Sequence, residues 1–544
     1  MAKTKVATGQ VECHLAAWHI AKWSDNKQAE TRIRGKGHQV TEKTPGGEEP
    51  SVERLRANRA QLLGLYKAAI DEMLAAVRVK LAAGVKPPRS KQPELSTPDN
   101  GLPLISDPPL FGGNGPLDHA AMFEPPYGDD AARRRGRFPA EDFPRLSALI
   151  EFVRANGDVS PAYPDRAADE LLPIEIRFQV ESAVNLHLLR HGPVDWNAKS
   201  DRAILEPLLR GLFNPRLSLA IVVPIAMTRF SFDRVRLAPD MFIVRMADGL
   251  NRARWKMKAY GTSGHDSVLG AASHALVITG WGAENRQHLF LARGLSGFGT
   301  EARDLIDSVF AMLRLETGIA TGYAQMLWLA RGWRTRHHFA DPEVFAVGAR
   351  RYPDTFDDYG WLSDAIPIVD RAQIGRVAAS LAEVRRAQDP RLALALRRLN
   401  GAMTRDEPAD AILDATIGLE LLLGDADNQA ISWKLRMRAA ALIGLDGDRA
   451  AMAQISSDVD RVYGLRSTIV HGSNRRKVKA DAADPQAGRQ LAIDTLRAVM
   501  RRILAAPRYL DPLKIDQELM MVPRIEREGL VPRIDDGSPN LPSQ

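Results

Sequence analysis

The sequence predicts an α+β protein, a mixed α/β N-terminal and middle region followed by an all-α antiparallel helical bundle. Three observations carry this. Apolar residues recur at i, i+3, i+4 through six segments between Arg371 and Arg508. Strand-like runs rich in Val, Ile and Phe cluster between Leu217 and Gly280 instead of alternating one by one with helices. Ten prolines fall within residues 86–126, a density that a packed domain rarely tolerates because each removes an amide donor.

Taken in order, residues 1–50 show no lasting period and read as a poorly ordered N-terminus. Residues 52–84 read as a helix with Leu62, Leu65, Ala69, Met73 and Leu74 near helical spacing, stopped by Gly84 and by Pro87 and Pro88. Residues 86–126 read as a linker or an irregular wrapping arm without much regular structure. An α+β domain is expected over 140–365. It holds helices at 141–156, 173–191, 200–212 and 301–316, and strands at Leu217–Pro224, Phe230–Arg236, Met241–Met246 and His274–Gly280. Trp328–Phe339 fits either state. The bundle spans 371–508, with helices at 371–387, 390–402, 407–423, 429–443, 447–471 and 485–505 joined by short loops. A Pro-rich tail at 509–544 should lie on the surface or fray.

Composition excludes several classes. Lys and Arg total 74 against 67 Asp and Glu, a net charge of +7 that permits a nucleic-acid partner without establishing one. A single cysteine, Cys13, allows no intrachain disulfide and no cysteine-pair zinc site. No run approaches the roughly 18 apolar residues of a membrane helix, and the stretch around Leu219–Met227 is interrupted by Pro224. The first residues carry no apolar signal core, so a cytoplasmic location without membrane contact is expected.

The richest chemistry lies in VYGLRSTIVHGSNRRKVK, residues 462–479. Arg466 and His471 stand about 140° apart on a helix, while Tyr463, Ser467 and His471 share one stripe. A long arginine can still reach the edge that His471 occupies. Such a site offers a permanent cation, an imidazole and a hydroxyl. RNA cleavage needs a base for the ribose 2′-hydroxyl and a cation for the phosphorane, with the nucleophile supplied by the RNA and no metal or other cofactor required. Arg475, Arg476, Lys477 and Lys479 form a basic run suited to backbone phosphates. The structural reading of the same residues is a helix-terminal histidine beside a solvated charge run.

Three ordered segments add a resemblance. DATIGLELLLG (414–424), ISWKLRMRAAALIG (431–444) and VYGLRSTIVHGS (462–473) together resemble the Apea-like branch of the HEPN superfamily, over about a quarter of the chain. The resemblance implies a helical, frequently dimeric bundle and a metal-independent endoribonuclease of prokaryotic antiviral-defence or toxin type. Its Arg-x4–6-His motif corresponds here to Arg466 and His471, the catalytic pair, with Tyr463 and Ser467 positioning the substrate. It further implies RNA as substrate, a homodimer or higher homo-oligomer, and a phage-derived or cellular trigger. Two departures stand out. Ser467 follows the arginine where an Asn, Asp or His is common, and Ser473 takes the place of a tyrosine that some family toxins carry. Glu420 resembles the acid of the family's LE pair and is expected to form an ion pair with Arg436 or Arg438. The alternative is a non-catalytic HEPN protein whose bundle serves dimerisation or ligand binding, with the middle domain carrying the function.

Other motifs read as structural. His187 and His191 have metal-pair spacing but no third ligand, and His337 and His338 are adjacent and would face opposite sides of a strand. GLSGFGT (294–300) lacks the Lys-Ser/Thr ending of a phosphate loop. Arg133–Arg135 and Arg137 read as a solvated basic patch. Trp328, Trp333, Trp361, Tyr352 and Tyr359 read as core at a domain interface before stacking platforms.

Overall fold

The computed structural model describes residues 52–125, 138–139, 142–163, 171–258, 265–285, 295, 297–357, 366–426, 429–471 and 484–521. The described residues form two compact units, one reaching Phe310 and resuming over Ile319–Ala378, the other made of Ala311–Gly318 and the described residues from Ala379 on. The protein is of mixed α+β class, with a wholly helical part. No helix among the described residues is long and apolar enough to cross a membrane.

The first unit begins with α1 (Val52–Ala82), which ends where Gly84 takes φ +83°, a backbone state that a glycine adopts without steric cost. Its apolar face (Leu62, Tyr66, Ile70, Met73, Val77) is buried against α2 (Pro144–Ala155) and α3 (Leu171–His191), in one core that α4 (Glu206–Phe213) also joins. Tyr66 and Tyr163 hydroxyls lie 2.8 Å apart in that core, and Tyr66 also donates to Gln179. Burying this polar knot is tolerable because each hydroxyl has a partner. The Pro-rich segment after α1 is a wrapping arm. Only β1 (Glu94–Ser96), β2 (Leu104–Ser106) and one short 3₁₀ turn are regular there, and Leu102 and Ile105 are buried with Trp255 and Val268.

A six-stranded antiparallel sheet completes this unit. Its strands are β3 (Arg216–Ile225), β5 (Arg234–Ala238), β6 (Met241–Arg245), β7 (His274–Glu284), β8 (Tyr323–Ala330) and β9 (Val344–Arg351), in the order β5-β6-β7-β3-β8-β9. Central β3 is buried almost throughout, which accounts for its unbroken apolar run. Pro224 is tolerated in it because continuous β3–β8 pairing stops at Val222↔Leu327 and returns only as an isolated Ala226–Gly322 bridge. The expected strand Phe230–Arg236 is two pieces, β4 (Arg229–Phe230) and β5, because the chain bends through Ser231–Asp233; β4 pairs instead with β10 (Ile368–Val369). Strand structure near Trp328 ends at Ala330, and residues 331–343 form a loop containing the isolated bridge His338–Asp341. Helices α5 (Asp248–Lys256) and α6 (Asp266–Gly270) are absent from the sequence reading. Helix α7 (Thr300–Thr317) follows β7 in the chain.

The second unit is the bundle, most of it built from α9 (Pro390–Thr404), α10 (Pro408–Leu423), α11 (Ile431–Ile443), α12 (Arg449–His471) and α13 (Pro485–Ala505), preceded by α8 (Arg371–Ala387). The end of α7, from Ala311, belongs here. In its last turn the Leu315 carbonyl accepts hydrogen bonds from Arg497 and Arg501 of α13, cations placed where the helix dipole favours them. Asp389 and Asp484 cap α9 and α13 by accepting from two backbone amides each, with Pro at the next position. Gly418 lets α13 approach α10, since a Cβ there would meet Leu496 at 2.8 Å. The beginning of the tail is built into the bundle, with Tyr509 and Ile515 fully buried.

Candidate active site

Helix α12 is anchored by Ile455, Val459, Val462 and Leu465, a buried stripe at i, i+4, i+7, i+10. Their neighbours fall at the edge of that stripe, which fixes where the polar residues go. Tyr463, Arg466 and Ser467 are half-buried, and His471 is exposed as the final residue of the helix. Ile469 and Val470 beside it are exposed too. Arg466 and His471 therefore sit on one continuous element, in the last two turns of α12.

The Arg466 guanidinium is held by charge and by a ring, without hydrogen bonds to any described residue. Its Nε lies 3.8 Å from Oε1 of Glu420 on α10, and its central carbon lies 5.5 Å from the ring centroid of Tyr463. Arg466 and Glu420 side chains are 31% and 27% exposed, so this attraction is softened by water. The five guanidinium donors keep their capacity for an anion. Tyr463 presents its ring, one turn before Arg466, as a support for the cation.

Glu420 does not pair with Arg436 or Arg438. Arg436 reaches Asp460 across the α11–α12 hairpin at 3.3 Å. Arg438, buried, donates twice to Asp516 at 2.8 and 2.6 Å, and to Asp425 and the Leu423 carbonyl at 2.7 Å each. Hydrogen bonding to Asp516 raises the Arg438 pKa above its ordinary value. Asp516 belongs to the tail, and no local spacing in the sequence ties it to Arg438.

The remaining candidates fall as follows. Arg475, Arg476, Lys477, Lys479 and Ser473 lie outside the described residues, as do Arg133–Arg135, Arg137, Tyr359, Trp361 and parts of 294–300. His187 has both ring nitrogens engaged, with Ser200 at 2.8 Å and the Val194 carbonyl at 3.0 Å, which leaves it no lone pair for a metal shared with His191. His337 bonds the Ile204 carbonyl at 2.9 Å. Trp328 is fully buried in the sheet, stacked on Phe298 with centroids 4.3 Å apart, and Trp333 and Tyr352 are buried too. None of these three has an open face for a base.

The arrangement on α12 can bring a cation and an imidazole to one exposed helix end, which suits an anionic substrate that approaches from solvent. Set against protein-family models, curated proteins and solved structures, the chain has no match.

Proposed function

We propose that the helical unit is a metal-independent endoribonuclease of HEPN type, a prokaryotic defence or toxin effector of the cytoplasm that works as a homodimer or larger homo-oligomer. The observation that carries this reading is the state of Arg466: drawn toward Glu420 and Tyr463, yet free of hydrogen bonds to described residues, on the same helix end as exposed His471. A purely structural arginine is normally spent on carboxylates or carbonyls, as Arg438 is here.

In the proposed reaction, one His471 takes the proton of a ribose 2′-hydroxyl, and the 2′-oxygen attacks phosphorus. The P–O5′ bond breaks, giving a 2′,3′-cyclic phosphate and a 5′-oxygen that takes a proton from His471 of a second copy. Arg466 offers two parallel N–H donors to the phosphorane oxygens. Tyr463 and Ser467 position the RNA, and the basic run 475–479 tracks its backbone.

The second reading, a bundle that binds a ligand or partner without chemistry, draws on Trp433 and Met437. They are exposed at 56% and 38%, one turn apart on α11. Incubating the purified protein with total RNA in EDTA, with and without lysate from phage-infected cells as a trigger, separates the two. Cleavage that resists EDTA and is lost in His471→Ala supports the nuclease; intact RNA under both conditions at high protein concentration supports the binding module.

A further inference from the structure

We propose that Arg190, Arg334 and His337 of the α+β unit form a binding site for a small phosphorylated molecule, independent of the RNA chemistry of the bundle. All three residues line one pocket of about 150 Å³, whose other walls include Leu186, Trp333 and Phe339. Arg190 comes from the last turn of α3, while Arg334 and His337 come from the loop 331–343.

The charge balance points to an anion. Neither guanidinium makes a hydrogen bond or ion pair with any described residue, whereas three cations of the surrounding elements are spent on carboxylates. Arg210 pairs with Glu206, and Arg252 and Lys256 both pair with Asp341. The nearby carboxylate of Glu343 accepts from the Thr335 amide and hydroxyl. Burial holds Arg334 below its ordinary pKa; Glu343 and Asp341 pull the other way, and Arg190 pushes it further down. Two guanidinium groups without a hydrogen bond or ion pair, brought to one partly desolvated pocket, are the arrangement that a dianionic phosphate relieves, because planar guanidinium forks match its oxygens. His337 Nε2 donates to the Ile204 carbonyl, and burial lowers its pKa to about 4, so the ring is neutral and Nδ1 is its acceptor. A neutral acceptor beside two cations suits a ligand hydroxyl. The apolar walls suit the organic part of a phosphate ester, for which bare phosphate has no use.

The loop is built to hold this geometry. Trp333 Nε1 is anchored on the Ser218 carbonyl at 2.7 Å, and the His337 amide donates to Ser182. Gly211 allows the Arg334 carbonyl to sit against α4, since a Cβ there would lie 2.1 Å from that oxygen. Phe339 has φ +51°, a strained state for a bulky residue that the turn around it enforces.

The test uses the full chain in phosphate-free buffer at constant ionic strength, titrated calorimetrically with adenosine 5′-monophosphate, inorganic phosphate and adenosine. Saturable binding of the monophosphate, weaker binding of phosphate and none of adenosine are expected. Arg190→Gln should weaken the monophosphate at least tenfold; its side chain lies at the surface end of α3, so circular dichroism should be unchanged. Arg334→Gln should do the same if it folds. No saturable binding, equal binding of adenosine, or full affinity in a folded Arg190→Gln variant would each overturn the proposal.

Discussion

Arg466 of α12 and Glu420 of α10 face each other with Nε and Oε1 3.8 Å apart, within reach of attraction but beyond a hydrogen bond. The acid therefore orients the cation without occupying it. Glu420→Gln should leave stability within about 1 kcal/mol, because the pair is partly solvated. It should lower kcat roughly tenfold, through a less well aimed guanidinium. Steady-state cleavage of a defined RNA beside a urea melt checks both; unchanged kcat would remove Glu420 from the site.

His471 is exposed and makes no hydrogen bond to a described residue, so His471→Ala should fold and assemble as the parent does. Cleavage should drop by about 10³-fold or more, the scale of losing a general acid–base group and its position. Arg466→Lys keeps the charge but loses the fork, and should cost about 10²-fold. Single-turnover rates, with size-exclusion elution and circular dichroism for each variant, are the measurements. A parental rate in His471→Ala would show the site to be misassigned.

Neutralising Arg475, Arg476, Lys477 and Lys479 together should act on binding and leave chemistry at saturating RNA intact. With about 0.7 counterions released per phosphate on a single strand, the slope of log K against log salt should flatten by up to roughly 3. Fluorescence anisotropy at several salt concentrations reads this directly. An unchanged slope would show that the run makes no phosphate contact.

Arg438 shows what a structural arginine looks like in the same bundle: buried, and bonded to Asp516, Asp425 and the Leu423 carbonyl. Arg438→Met should destabilise the unit by about 3–5 kcal/mol, because it strands the Asp516 carboxylate and the Leu423 carbonyl, while Asp425 keeps Lys434 at 2.9 Å. Asp516→Asn, which leaves Asp425 in place, should cost less. Urea unfolding followed by helical ellipticity gives both values, and a change under 1 kcal/mol for Arg438→Met would contradict the role.

The α+β unit should lose stability on mild acidification. Burial lowers the His337 pKa to about 4, whereas an unfolded histidine titrates near 6.5. Between those values the unfolded chain binds a proton that the folded chain refuses. The contribution is complete above about pH 6.5 and falls away toward pH 4, by about 3 kcal/mol in all. Burial lowers His187 and His274 as well, so they act in the same direction. Thermal melts in phosphate-free buffer at pH 7 and pH 5 should differ in this sense, and His337→Gln should narrow the difference; a folded His337→Gln variant with the parental difference would refute it.

The sequence by itself determined the six helices of 371–508, because each carries its own 3.6-residue period and its own stop signals, such as Pro390 and Pro485 at helix starts and the Gly444–Gly447 turn. It also placed Arg466 and His471 on one helix, a matter of local spacing alone. Central β3 was legible from its unbroken apolar run. The partner of Glu420 was not: the expected partners were Arg436 or Arg438, and only the packing of α10 against α12 brings Arg466 to it instead. The pairing of Arg438 with Asp516 spans 78 residues and depends on how the tail docks. β9 was missed because its Val344–Arg351 stretch is mixed and half-exposed, and its state comes from pairing with β8. The meeting of Arg190 with Arg334 had no signal at all. Charges have no period, and two elements 144 residues apart come to one pocket only because Gly211 lets a loop lie against a helix.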